Sequence, residues 1–128
     1  MNGLRVVLDS NIIIYLSKGL LNFEDISARY ESFYISIITY LEVLGFQFSD
    51  EGEKKIIEDL LKNFEMINID PEIAENVLII RQRKKIKLPD AIILATAKFL
   101  KCDLLTRNVG DFSDIVEDVN IVDPFENT

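Results

Sequence analysis

The chain is predicted to fold as an α/β domain, with a central, mainly parallel β-sheet flanked by α-helices. Three observations predict it. Short apolar runs such as Val6-Val7-Leu8, Phe33-Tyr34-Ile35 and Leu104-Leu105 alternate with stretches of helical periodicity, the alternation that builds βαβ units. The first run is continuous rather than alternating in polarity, which suits a strand covered on both faces. A length of 128 residues, 48% hydrophobic and 28% charged, suits one globular domain, residues 1–128, with a substantial core.

Each element has its own local reason. The first strand ends in Asp9-Ser10-Asn11, and a helix follows from Asn11 to Lys18, with Ser10 as N-cap and Gly19 as the stop. Phe23 to Glu31 is a second short helix, and Phe33 to Ser36 a strand of aromatic and branched residues. Ile37 to Phe46 is a largely apolar helix, capped by Ser36 or Thr39 and interrupted by one acid, Glu42. Ser49-Asp50-Glu51 opens an amphipathic helix to about Phe64, with Ile56, Ile57, Leu60, Leu61 and Phe64 as its apolar stripe.

Met66 to Ile69 is the next strand. Asp70-Pro71 then starts a helix whose core side is Ile73, Ala74, Val77, Leu78 and Ile80. That helix runs into a basic cluster, Arg81, Arg83, Lys84, Lys85 and Lys87. Two readings of the cluster stand side by side: complement to a helix C-terminus, or a patch that contacts phosphates beside the acids that follow it. Asp90 caps a helix from Ala91 to Leu100, apolar nearly all round, whose alanines suit close packing on the sheet. Asp103 to Thr106 is a strand, Val109 to Phe112 a turn, and Asn120 to Val122 a last short strand.

Composition removes several classes of function. There is no histidine and a single cysteine, Cys102, so histidine-based triads, an internal disulfide and the usual zinc sites are excluded. Cys102 reads as a core residue. No run reaches the ~18 apolar residues of a membrane span, and nothing at the start resembles a signal peptide; a cytoplasmic protein without membrane association is expected. A net charge of −8 argues against a plain nucleic-acid-binding module, which would be basic.

Enzymatic chemistry would therefore rest on carboxylates. Among 22 acidic residues, Asp9, Glu42, Asp90 and Asp111 stand apart, each bordering an apolar run at an element end or on an apolar helix. Parallel sheets gather such ends along one edge. Taken singly, Asp9 and Asp90 also read as helix caps, Asp111 as a turn residue and Glu42 as a partly exposed acid. Together, four carboxylates would repel one another unless a cation lay among them, and all-oxygen ligation suits Mg²⁺ or Mn²⁺.

Asp9-Ser10-Asn11 after an apolar strand, Glu42 in an apolar helix, Leu88-Pro89-Asp90-Ala91 with Ala95-Thr96-Ala97, and Leu105-Thr106-Arg107-Asn108 leading to Asp111-Phe112 together resemble the PIN-domain nucleases. The resemblance is closest to the VapC-type toxins of toxin–antitoxin pairs and covers almost the whole chain. It implies a PIN-like fold and a divalent-metal-dependent endoribonuclease, with Asp9, Glu42, Asp90 and Asp111 as the catalytic, metal-binding acids. It also implies a hydroxyl near the metals at Thr106 and supporting polar positions at Asn11 and Asn108. A homodimer and a cognate antitoxin partner follow from the same resemblance. Arg107 joins the basic cluster as a candidate contact to RNA phosphates.

Rival classes fare less well. An aspartyl-phosphate phosphatase would want a second acid where Asn11 stands. A phospho-receiver domain would want an acid pair near the start and a late lysine after a strand. A free-standing RNA-processing nuclease and a non-catalytic interaction module on the same fold remain as alternatives.

Overall fold

In a computed structural model, residues 4–45 and 47–126 are described. Their elements follow in the order β1 (Arg5–Leu8), α1 (Ser10–Ser17), α2 (Phe23–Ser27), β2 (Ser32–Ser36), α3 (Ile37–Leu44), α4 (Glu51–Leu61), β3 (Glu65–Ile67), α5 (Pro71–Arg83), α6 (Leu88–Leu100), β4 (Asp103–Leu105), α7 (Val109–Phe112) and β5 (Ile121–Val122). The five strands form one sheet in the order β3-β2-β1-β4-β5, every pair parallel. The expected α/β class holds. Strand β1 lies at the centre, and the chain builds outward from it first on one side and then on the other. The carboxyl ends of β1 and β4 are thus the point where open α/β sheets form a crevice.

Register divides the side chains between two faces. Val7 pairs with Tyr34 and Leu104, while Val6 and Leu8 pair with Phe33, Asp103 and Leu105. Because successive strand residues point to opposite faces, Val7 and Leu104 join one core cluster and Val6, Leu8 and Leu105 the other. The first cluster takes in Ile73, Val77 and Ile80 of α5, the Ala91–Leu94 run of α6, and Phe112. The second takes in Ile12 and Ile13 of α1, Ile26 of α2, and Ile57 and Leu61 of α4. Helix α3 serves both, Ile38 packing on the first and Val43 on the second. Val6, Val7 and Leu8 are wholly buried, and each such side chain contributes about 1.5–3 kcal/mol by leaving water.

Several local expectations change. The N-cap of α1 is Asp9, whose side chain accepts from the Ile12 amide at 3.0 Å; Ser10 is already the first helical residue. Helix α6 begins at Leu88, with Lys87 at the N-cap position and no side-chain capping bond, so Asp90 sits inside the first turn and does not cap. Pro89 accounts for the earlier start, since its locked φ and missing N–H fit a first turn. Ser36, not Thr39, caps α3. The expected end of that helix at Phe46 lies outside the described residues. Helices α2 and α4 stop short of Glu31 and Phe64, and β3 covers Glu65–Ile67 instead of Met66 to Ile69. Ile56 of α4 and Leu78 of α5 are 52% and 63% exposed, and Ala74 is exposed as well; the buried stripes are narrower than hydropathy alone suggests. Gly19 follows the end of α1 at φ +75°, a backbone state that strains residues with a Cβ.

At the amino edge of the sheet, away from the acids under discussion, a second buried acid appears. The Tyr30 hydroxyl donates to Asp103 Oδ2 at 2.9 Å, and both residues are buried. Beside it, Arg5 donates to the Leu100 carbonyl at the end of α6 and to the Tyr34 hydroxyl. Tyr30→Phe strips a buried carboxylate of its donor, and a loss of about 1–3 kcal/mol is expected in urea unfolding. An unchanged midpoint would show that the pair carries no stability. Cys102 is buried, and burial pushes its thiol up to about 11, in keeping with a core role.

Candidate active site

Four separate connections at the carboxyl edge supply the acids. Asp9 is the first residue after β1, Glu42 lies on α3 after β2, Asp90 in the first turn of α6, and Asp111 in the single turn of α7 after β4. The parallel topology explains Asp90: a helix leading into a parallel strand returns antiparallel to it, so its N-terminus lies at the strands' carboxyl edge.

Asp9 is the most enclosed of them, at 4% exposure. Its amide continues the ladder by donating to the Leu105 carbonyl at 3.1 Å. One carboxylate oxygen accepts from the Ile12 amide and the other from the Thr106 hydroxyl. Thr106 is itself wholly buried and accepts from the Asn108 amide at 3.0 Å. Burial pushes the Asp9 carboxyl above its usual range; the Thr106 and Ile12 hydrogen bonds pull it down, and the charges of Asp90 and Glu42 push it up again. Asp90, half-buried, is also raised, by burial and then by Asp111 and Glu42, with the Lys87 ammonium opposing. Neighbouring acids therefore act on one another. Asp9, Glu42 and Asp90 form one mutually repelling group, and Asp111 is joined to it through Asp90.

Glu42 and Asp111 are exposed, so Glu42 avoids the desolvation cost that an apolar helix would impose on a buried charge. Its Oε1 accepts from the Ser10 hydroxyl at 2.5 Å, and that hydroxyl lies 3.3 Å from Oγ1 of buried Thr39. Ser10 and Thr39 thus tie α1 to α3 beside the acids. Sequence alone suggests only capping for them, because the partners are 32 and 29 residues apart and share no local motif.

The donor set is chemically suited to a hard divalent cation: oxygen only, with the charged forms of Asp9 and Asp90 disfavoured by their surroundings. Among the described residues, no group of three or more acidic or thiol side chains is arranged to hold a metal ion. Mg²⁺ keeps several of its waters and is commonly held through one or two carboxylates, so a closed cage is not required for it.

The remaining expected positions differ in how they relate to the acids. Asn11 and Asn108 are exposed, and neither side-chain amide hydrogen-bonds to one of the four acids among the described residues. The guanidinium of Arg107 sits over the Phe125 ring, 4.2 Å from its centroid, which commits it to stacking. The basic cluster does adjoin the acids. A cleft of about 440 Å³ is lined by Arg81, Lys84, Lys85, Ile86 and Lys87 together with Asp90 and Asp111. Arg83 instead reaches the Ile115 carbonyl at 3.1 Å, and the Arg81 Nε donates to the Ile86 carbonyl at 3.3 Å. Among the described residues, no helix is long and apolar enough to cross a membrane.

Comparison with known proteins accords with this arrangement. No curated protein matches the chain. A toxin–antitoxin complex from Klebsiella pneumoniae contains a chain 37% identical, with a TM-score of 0.74 over 91% of this chain and 99% of that one. VapBC-1 from nontypeable Haemophilus influenzae is 28% identical, with a TM-score of 0.73 over 93% and 97% of the two chains. The DNA-bound VapBC from Salmonella typhimurium, at 22% identity, shares the fold with a TM-score of 0.80 over 94% and 98%. The PIN domain family model matches residues 6–117, a span that includes all four acids, the hydroxyls of Ser10, Thr39 and Thr106 beside them and the whole basic cluster, and the chain accordingly belongs to the PIN domain family.

Proposed function

We infer that the chain is a divalent-metal-dependent endoribonuclease, the toxin of a toxin–antitoxin pair, hydrolysing RNA phosphodiester bonds with Mg²⁺ or Mn²⁺ in the cytoplasm. The observation that supports this reading most is the supply of Asp9, Glu42, Asp90 and Asp111 by four separate connections at the carboxyl edge of one parallel sheet, with Asp90 and Asp111 lining a basic cleft. A protein that only bound a partner would gain nothing from placing Asp9 and Asp90 where burial disfavours their charged forms. The family and the Klebsiella toxin–antitoxin likeness support the nuclease and toxin roles. A cognate antitoxin and a homodimer belong to the same proposal.

In this reading Asp9, Glu42, Asp90 and Asp111 hold the ion. When bound, it supplies Lewis acidity and a water of lowered pKa. Thr106 keeps Asp9 oriented by its hydroxyl, and Ser10 does the same for Glu42. Arg81, Lys84, Lys85 and Lys87 line the cleft and make it positive, with Lys85 and Lys87 free of side-chain hydrogen bonds among the described residues and available to an approaching phosphate, so affinity for RNA falls with salt. Arg83 and Arg107, engaged with Ile115 and Phe125, are weaker candidates for that contact.

The test is cleavage of single-stranded RNA by purified protein. Chelator is expected to abolish it, Mn²⁺ to restore it, and Asp90→Asn to lower it by roughly 10²–10³-fold, the usual scale for losing one electrostatic element of a site. Cleavage that continues in chelator overturns the proposal.

A further inference from the structure

The basic cluster is not uniform. Helix α5 ends at Arg83, and Lys84 leaves it in extended conformation, at φ −150° and ψ 147°. From there the Lys84 Nζ donates to the Gly110 carbonyl at 3.0 Å. Gly110 immediately precedes Asp111 within α7. One residue back, Arg83 holds the Ile115 carbonyl on the far side of the same segment. Two cations from the end of one helix therefore grip the backbone on either side of Asp111.

That segment needs holding. Helix α7 has four residues, and its N-cap residue, Asn108, makes no side-chain capping bond. A single turn is far below the length at which helices persist unaided. Phe112 anchors the turn from beneath, buried in the core, but one side chain does not fix the rotation of the residue next to it. The Gly110 carbonyl belongs to the end of this short helix, where carbonyls lack helical partners and cations are favoured. By contrast, the side-chain ammonium groups of Lys85 and Lys87 line the same cleft without donating a hydrogen bond among the described residues, Lys87 lying in the field of Asp90.

We propose that Lys84 is a positioning residue for Asp111, holding the α7 turn by its bond to Gly110, while Lys85 and Lys87 are the cations left to meet RNA phosphate. This rests on the nuclease reading for its function, though not for its structural half.

The test exploits a difference in sign. Removing a cation beside acids, on Coulomb grounds alone, tightens metal binding. Removing a positioning residue loosens it. For Lys84→Met, Mn²⁺ affinity by calorimetry in the absence of RNA is expected to fall roughly tenfold, as for other groups that orient ligands. Amide exchange at Asp111 and Ser113, both hydrogen-bonded within the turn, is expected to quicken, and kcat to fall more than KM rises. Lys84→Arg, which keeps a donor, is expected to retain metal affinity and exchange protection. Lys85→Met is expected to raise KM and to reduce the salt slope of RNA binding in chelator by about 0.7, with Mn²⁺ affinity unchanged or tighter. Lys55→Met, on the exposed face of α4, serves as the control without effect.

Unchanged amide exchange, or Mn²⁺ affinity that holds or rises in Lys84→Met, overturns the proposal. A parent chain that takes up no Mn²⁺ overturns the nuclease reading instead. The two failures are distinct because the exchange measurement needs no metal.

Discussion

Asp9→Asn is expected to lose RNA cleavage by roughly a thousandfold, yet to leave the metal-free protein at least as stable as the parent at neutral pH. The two effects have one origin. Asp9 is buried, and that burial, with the charges of Asp90 and Glu42, holds its carboxyl above the ordinary range. A group whose pKa is raised by folding favours the folded state while it is protonated. Its stabilisation is complete below the unfolded pKa and is lost as pH rises through the folded one. Without an ion, the parent should therefore lose stability as pH climbs from the ordinary carboxyl range through the raised pKa values of Asp9 and Asp90. Asparagine at position 9 removes one of these charges and can still accept from Ile12, its Nδ2 then donating to the Thr106 oxygen where Asp9 now accepts from that hydroxyl.

Added Mn²⁺ should reverse the order, because an ion that binds only the folded state stabilises it by mass action and the variant has lost a carboxylate. Thermal melts from pH 4 to pH 8, with chelator and with Mn²⁺, test this beside the cleavage assay. A variant that melts well below the parent in chelator at pH 7 would show that Asp9 serves the fold, and the functional reading of its burial would fall.

Phe112→Ala is expected to destabilise the chain by about 3–5 kcal/mol, the range for truncating a wholly buried phenylalanine. Phe112 is 1% exposed and belongs to the core cluster that includes Ile115, Val116 and Val119. It also adjoins Asp111. The cavity left behind frees the α7 turn from below, so the fraction that stays folded should bind Mn²⁺ more weakly. Urea unfolding measures the first effect and calorimetry under native conditions the second. A loss under about 1 kcal/mol would mean that the site collapses around the cavity at little cost, and that α7 is held by other contacts.

Asp9 and Glu42 stand out locally, one directly after a buried run and the other within an apolar helix, whereas Asp90 and Asp111 taken singly read as a cap and a turn residue and are distinguished only in combination and by resemblance. Thr106 and the basic cluster were legible only through resemblance or composition, since a hydroxyl after a strand and a charged helix end both have ordinary explanations. The division of the cluster was not legible. Nothing in Arg83-Lys84-Lys85 shows that two of these side chains reach carbonyls about 26–32 residues further on.

Residues in sequence determined the alternation of elements, the buried central strand, the cap at Asp70 and the glycine stop at Gly19, because periodicity, capping and φ preference act over a few residues. The tertiary structure alone decided that Asp9 caps while Asp90 does not, and that Leu78 stays in water. It alone paired Ser10 with Glu42, Tyr30 with Asp103 and Lys84 with Gly110. Those outcomes depend on which strand lies beside which, and sheet order joins residues whose separation along the chain leaves no local trace.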